Sequence, residues 1–267
     1  MQVGYLERIR RALWTLGQPL TRVPAKPAVP VSDLFVWRNS NEWQTSFELI
    51  DIPGLFAEGG AGGGRCATIY CFDRSGRCFL QKRFELLPNR RHTVEMAGLV
   101  GSDHGEVGTF AVFHSETPAA VTAIGSYLAE RGYVSYRYRN APLRAYVHGN
   151  LDAISLGSDA QLELLGARGV LPREYRLQHE MKGVARYELG LVNPTSAEQR
   201  CAFQLVSTQT GKILEMQNVD LEPRGAVLIP YQVDESGSAR VIIKSKLVMA
   251  RPLVFRVQDN KLGVFHG

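Results

Sequence analysis

Long apolar runs are absent from this chain of 267 residues. No stretch approaches the roughly 20 consecutive apolar residues that a membrane-spanning helix needs. The N-terminal segment also lacks an apolar core followed by a small-residue cleavage site. We therefore expect a cytoplasmic protein, with peripheral attachment to a membrane as the alternative. Hydrophobic residues at 45% and charged residues at 21% are typical of a globular protein and exclude a disordered or fibrous one.

Cysteine is scarce, and its spacing does not suit a metal. Cys66, Cys71 and Cys78 are separated by four and six residues, whereas zinc sites use paired C-x2-C ligands. These three residues and Cys201, the fourth cysteine, are therefore expected to be reduced, buried structural thiols. We expect no metal and no other cofactor.

Recognised catalytic and phosphate-binding motifs are missing as well. The sequence contains no G-x-S-x-G elbow, and His179-Glu180 lacks the second histidine of the H-E-x-x-H zinc motif. The glycine-rich run 59–64 precedes a strand-like segment, not the helix that a phosphate-binding loop requires, so we interpret it as a surface loop. The net charge of +5 is mild for this length and does not favour nucleic acid as a partner.

The chain does have a long series of strand-like segments with period-two alternation, separated by glycine-containing turns. They are predicted at residues 34–37, 45–52, 66–72, 78–84, 93–100, 108–113, 133–139, 175–179, 186–192, 201–207, 213–219, 226–229 and 240–244. One helix is predicted among them, which opens at Thr117-Pro118 and is stopped by Gly132. Thr117 and Pro118 suit its first positions, and Gly132 suits its end.

A second helix is predicted at the N-terminus, at residues 5–16. Apolar side chains recur there at three- and four-residue steps, with arginines on the opposite face. Pro24, Pro27 and Pro30 then favour a stiff extended linker. The simplest interpretation is a helix docked on its own protein or on a twin subunit in a homo-oligomer. The alternative is a basic amphipathic helix that contacts a membrane surface.

Similar blocks recur in the two halves of the chain. Phe47-Glu48-Leu49 matches Tyr187-Glu188-Leu189, and Pro142–Asn150 and Pro252–Asn260 both read P-L-x-x-x-V-x-x-N. The pattern resembles that of tandem β-sandwich proteins. We predict an internal duplication that gives two immunoglobulin- or fibronectin-like sandwiches, with one helix inserted in the first. The predicted units are residues 1–31 (helix and linker), 32–157 (first module), 158–173 (connection) and 174–267 (second module).

The block Pro142–Asn150 alternates apolar and polar side chains, as a half-buried strand does. Its predicted inward residues are Leu143, Ala145 and Val147, and its predicted outward residues are Arg144, Tyr146, His148 and Asn150. The second block keeps the inward positions as Leu253, Phe255 and Val257, but its outward positions, which include Val254 and Gln258, do not keep the polar pattern. Because only the apolar face is shared, we expect function on the outward face of the first block.

The candidate ligand-binding residues are Arg137, Arg139, Arg144, Tyr146, His148 and Asn150, with Asp152 nearby. Arginine suits carboxylates, sulfates and phosphates, and tyrosine offers a flat surface for a sugar. The simpler alternative is a solvated sheet face, or one covered by the inserted helix. We predict a non-catalytic binding or assembly protein whose ligand is a glycan or another protein. The alternative is an enzyme of carbohydrate or cell-envelope metabolism, which requires a deep pocket with convergent acid and base groups.

Overall fold

The computed structural model describes residues 29–55, 64–87, 90–116, 129–149, 153–157, 159–234, 236–248 and 252–267. Within these ranges the chain forms 21 strands and two four-residue helices, α1 (Ile52–Leu55) and α2 (Ala97–Val100). The strands of the first part are β1 Val31–Asp33, β2 Phe35–Arg38, β3 Trp43–Leu49, β4 Cys66–Phe72, β5 Cys78–Glu85, β6 His92–Glu95, β7 Val107–His114, β8 Ala129–Glu130, β9 Tyr133–Tyr138, β10 Ala145–His148, β11 Ala153–Leu156 and β12 Leu162–Leu164. Those of the second part are β13 Ala167–Arg176, β14 Met181–Lys182, β15 Arg186–Val192, β16 Gln199–Ser207, β17 Ile213–Leu221, β18 Ala226–Tyr231, β19 Ser238–Val248, β20 Leu253–Gln258 and β21 Lys261–His266.

These strands form five small sheets, arranged as the five blades of a β-propeller. Sheet A has the strand order β12-β11-β1-β8, sheet B β2-β7-β4-β5, and sheet C β10-β9-β3-β6. Sheet D has the order β13-β19-β16-β17, with β14 also paired to β19, and sheet E the order β18-β15-β20-β21. The predicted strands 66–72 and 186–192 are confirmed to the residue as β4 and β15. The predicted strand 93–100 is partly wrong, because β6 ends at Glu95 and α2 follows.

The prediction of two tandem sandwiches is wrong. Independent modules would each enclose a core of their own, but Phe255 on β20 packs into the aromatic cluster of the first half. Its ring centroid lies 5.5 Å from that of Trp43 and 4.9 Å from that of Tyr136. Sheet E also packs on the second-half cluster through Val254 and Leu189. Sheet E therefore has one face in each core and joins the two halves.

The internal duplication is not confirmed either. The first P-L-x-x-x-V-x-x-N block forms β10 at the edge of sheet C, whereas the second forms β20 in the interior of sheet E. The two blocks are alike locally because each is a strand bounded by turns, and they differ in their neighbours. The predicted helix at residues 5–16, most of the predicted helix that opens at Thr117 and most of the glycine-rich run lie outside the described residues. The predicted end of the second helix, just before Gly132, is wrong, because Ala129–Glu130 form β8.

A buried ion pair ties the halves together where sheet B meets sheet E. Arg38 Nη2 on β2 lies 2.5 Å from Glu188 Oε2 on β15, and both side chains are 7% exposed. The guanidinium also stacks over the Trp43 ring, 3.4 Å from its centroid. Burial lowers the pKa of Arg38 to about 10, although Glu188 acts in the opposite direction. The charge is kept because a carboxylate and an aromatic ring replace the water that it has lost.

The cysteine prediction is correct for three thiols and wrong for one. Cys66, Cys71 and Cys201 are buried, whereas Cys78 is exposed at the start of β5. Burial raises the pKa of the Cys71 thiol to about 12. None of the four forms a disulfide. In the described part of the chain no three His, Cys, Asp or Glu side chains are placed to hold a metal ion, and no helix is long and apolar enough to cross a membrane.

We expect one cysteine of the native protein to react quickly with dithionitrobenzoate. Cys78 is accessible, whereas the other thiols are reached only when the core opens. Cys78→Ser should abolish the fast phase, and Cys71→Ser should leave it unchanged. A fast phase of two or more thiols would contradict this assignment.

Glu188→Leu should lower the free energy of unfolding by about 3–5 kcal/mol, because it leaves the Arg38 charge buried without its partner. Adding Arg38→Met should recover most of this loss, since no charge then remains there. The measurement is urea unfolding of both variants. Glu174→Leu is the matched control, since Glu174 pairs with Arg176 and Lys244 at the surface. If Glu188→Leu costs no more than the control, the pair does not hold the halves together.

Candidate functional site

The hairpin β9–β10 places four of the candidate residues on one side of sheet C: Arg137, Arg144, Tyr146 and His148. The two strands pair antiparallel through the turn at Asn140-Ala141, with Tyr146 opposite Ser135 and His148 opposite Tyr133. Strand β9 pairs in turn with β3, and β3 with β6. We call one side of this sheet the outer face of sheet C. It comprises Gln44, Ser46, Glu48, Thr93, Glu95, Tyr133, Ser135, Arg137, Arg144, Tyr146 and His148.

The opposite side of the hairpin enters the core, with one exception. Val147 is buried, as predicted, and so are Val134 and Tyr136 on β9, but Leu143 is 78% exposed. Leu143 precedes the first residue of β10, so strand alternation does not apply to it. The prediction also fails for Val254 on β20, which was placed outward and is fully buried. Sheet E packs against both cores at this point, with Val254 in one core and Phe255 in the other, although Arg256 farther along β20 is exposed.

Arg144 lies across the outer face of sheet C and is held there by two strands. One of its guanidinium nitrogens donates to Ser46 Oγ, and the other lies 3.0 Å from Glu95 Oε1. Ser46 Oγ donates in turn to Glu95 Oε2 at 2.7 Å. The arginine is therefore fixed in position, and Glu95 compensates its charge.

The remaining candidate arginines are also engaged. Arg137 donates to the amide oxygen of Gln44. Arg139, at the corner of the hairpin, pairs with Glu42, and this hydrogen bond raises the pKa of Arg139 and lowers that of Glu42. Asn150 and Asp152 lie outside the described residues. The face is therefore rich in arginine, as predicted, but partner side chains compensate much of its charge.

Two tyrosines stand out from this face. Tyr146 is 50% exposed and Tyr133 is 56% exposed. They are diagonal neighbours on β10 and β9, a separation at which two aromatic side chains can share one ligand. Tyr133 was not among the candidate residues, yet the sequence contains the signal, because it precedes Ser135 and Arg137 by two and four residues on the same face.

His148 borders the tyrosines at the end of β10. Its Nδ1 donates to the carbonyl oxygen of Gly149 at 2.6 Å, which leaves Nε2 to act as an acceptor in the neutral ring. The ring lies 4.9 Å from that of His266 on β21. Both histidines border a crevice between sheets C and E that has a free volume of about 20 Å³. A crevice of this size holds a water molecule and no substrate.

The acidic side chains of the outer face of sheet C are engaged in ion pairs. The carboxylates of Glu95 and Glu48 are engaged by Arg144 and Arg91, at 3.0 and 3.1 Å. Among the described residues of the face, no free acid and base converge on a deep pocket.

No protein-family model and no curated protein matches this chain. Among solved structures, a calcium-binding mutant of β-glucuronidase 2 from Bacteroides uniformis is 11% identical, with a TM-score of 0.19, over 87% of this chain and 25% of that one. The β-glucuronidase of Parabacteroides merdae is 10% identical, with a TM-score of 0.17, over 88% and 27%. The N-terminal tandem CBM22 domain of Xyn10C from Paenibacillus barcinonensis is 9% identical, with a TM-score of 0.19, over 86% and 80%. This chain spans about a quarter of the length of the two glucuronidases, and TM-scores this low carry no argument about fold or function.

Substitutions at two neighbouring positions of β10 should differ strongly in how much they lower the free energy of unfolding. Val147→Asp places an unpaired charge in the core and should lower the free energy of unfolding by more than about 3 kcal/mol. His148→Ala, at an exposed position, should change it by no more than about 0.5 kcal/mol. Val254→Asp should resemble Val147→Asp, because Val254 is fully buried in the second-half core. Chemical unfolding measures all three, and a mild effect of Val147→Asp would show that β10 is not packed on the core.

Proposed function

We propose that the outer face of sheet C binds a glycan without catalysing a reaction on it. The observation that carries this proposal is the pair of half-exposed tyrosines, Tyr133 and Tyr146, placed side by side on a sheet. A pyranose ring has an apolar face of C–H groups, and aromatic rings favour such partners because they supply apolar area without leaving a polar group unpaired. Two neighbouring rings can hold two consecutive sugars.

The hydroxyl groups of the sugars would find hydrogen-bonding partners around the tyrosines. His148 Nε2 is available on one side, and the Arg144 guanidinium lies on the other, fixed by Glu95. Because these groups stand on paired strands, little freedom remains to be lost when a ligand binds.

The ligand proposed for this face is a neutral glycan. Glu95 compensates Arg144, and Glu48 pairs with Arg91. Arg137 is bonded to the neutral amide of Gln44, so the face has only a small net attraction for a polyanion. Another protein remains the second candidate for a partner. It would have to bury both tyrosines within a much larger contact, of about 800 Å² on each side.

An array of neutral oligosaccharides of four to eight residues tests this proposal with the full chain. Tyr133→Ala and Tyr146→Ala should each weaken binding to the best member at least about 10-fold, equivalent to about 1.4 kcal/mol. Tyr146→Phe should retain most of the affinity, because the ring is the proposed contact. Leu143→Ala is the matched control, since this exposed residue belongs to the same hairpin but not to the face. The proposal is wrong if no neutral oligosaccharide binds, or if both alanine variants bind as well as the control.

A further inference from the structure

A groove lies on the solvent-facing side of sheet D, the side that carries Ala202 and Lys244. Its floor is Ala202 on β16, which is directly opposite Lys244 on β19 and Asn218 on β17. Longer side chains surround this alanine, so the small methyl group leaves a depression between them. The groove has a volume of about 670 Å³, within the range of about 300–1,000 Å³ that is usual for small-ligand sites.

Positive charge dominates the walls of this groove. Arg168, Arg200, Lys244 and Lys246 line it, against the two carboxylates of Glu198 and Asp220. Cys201 on β16 is opposite Ser245 on β19. Because these strands are antiparallel, Arg200 and Lys246 are opposite each other one position farther along. Adjacent strands are about 4.8 Å apart, so the two cations can approach the same anionic group.

Three of these cations lack a compensating partner. Lys244 lies 3.5 Å from Glu174, but Arg168, Arg200 and Lys246 form no ion pair with any carboxylate in the described part of the chain. Asp220 is opposite Arg200 across β16 and β17 without forming an ion pair with it. This differs from sheet C, where Arg144 and Arg139 are paired. Uncompensated cations around a concavity attract an anionic ligand.

Aromatic side chains are missing from the residues that line this groove. The aromatic residue of β16, Phe203, points into the core and is 1% exposed. Neither uncharged sugars nor nucleobases would find a ring to stack on, so the affinity must come from charge and hydrogen bonds. Asn218 on the wall can bond to hydroxyl groups, and the fork of Arg200 matches a carboxylate.

We propose that this groove binds an anionic oligosaccharide whose sugars carry carboxylate groups. Arg200 and Lys246 bind a carboxylate, Asn218 bonds to a neighbouring hydroxyl, and Ala202 leaves room for the sugar ring. The site goes beyond the function proposed for sheet C, because it uses another sheet, other residues and the opposite preference for charge.

Isothermal titration calorimetry of the full chain with hexagalacturonate at about 50 mM salt tests this site, with counterion release as the expected driving force. The double variant Arg200→Ala/Lys246→Ala should weaken binding at least 10-fold. Arg240→Ala is the matched control, since it removes a positive charge from the same exposed side of β19, outside the groove, and should change affinity less than twofold. Ala202→Leu should also weaken binding, because it fills the floor without changing charge.

Several results would overturn the proposal. One is no binding of hexagalacturonate to the unaltered chain, and another is equal affinity in the double variant and the Arg240→Ala control. Tighter binding of a single-stranded oligonucleotide, with the same dependence on Arg200 and Lys246, would assign the groove to nucleic acid instead. Tyr146→Ala should leave the titration unchanged, so the two sites can succeed or fail separately. The substitutions of Arg200, Lys246 and Arg240 should leave the melting temperature unchanged. Ala202→Leu tests the shape of the groove while the charges stay the same.

Discussion

Arg38 and Glu188 remain charged inside the protein because each replaces water for the other, and this mutual dependence fixes where sheet E lies. Once β15 is held against β2, Phe255 on the neighbouring strand β20 falls between Trp43 and Tyr136. Those two rings belong to sheet C, so the same contact supports the sheet from behind. The flat outer face with its two tyrosines therefore depends on an interaction on the other side of the core.

Strands were predictable from the sequence because alternation of side chains is a local property. Segments such as β4 and β15 follow from the period alone, and so does the outward position of Tyr146 and His148. The arrangement of the sheets did not follow, since a period of two shows that a strand has two faces but not what covers them. The sequence did indicate burial of both faces at Leu253-Val254-Phe255, because consecutive apolar residues are typical of a strand buried on both sides.

The candidate site was predictable to a similar extent. The hairpin turn and the alternation brought Arg137, Arg144, Tyr146 and His148 to one surface, as the structure has them. The sequence did not show whether the arginines are paired with carboxylates, because the carboxylate that neutralises Arg144 is 49 residues away. Charge compensation across a sheet depends on strand order, and strand order is not encoded in any one segment. The expected ligand was a glycan or another protein, and the compensated arginines are the reason that we propose a neutral glycan.

Sheet E affects the order in which parts of the core can fold during synthesis. Its strands β20 and β21 complete the core around Trp43 and Tyr136, yet they are synthesised long after those residues. The partners Arg38 and Glu188 are themselves separated by 150 positions. A ribosome that has finished the first half therefore holds an open aromatic core, exposed to solvent and to neighbouring nascent chains. During that interval we expect the nascent chain to need chaperones, whereas a protein with two self-contained halves would bury its first core before the second half is made.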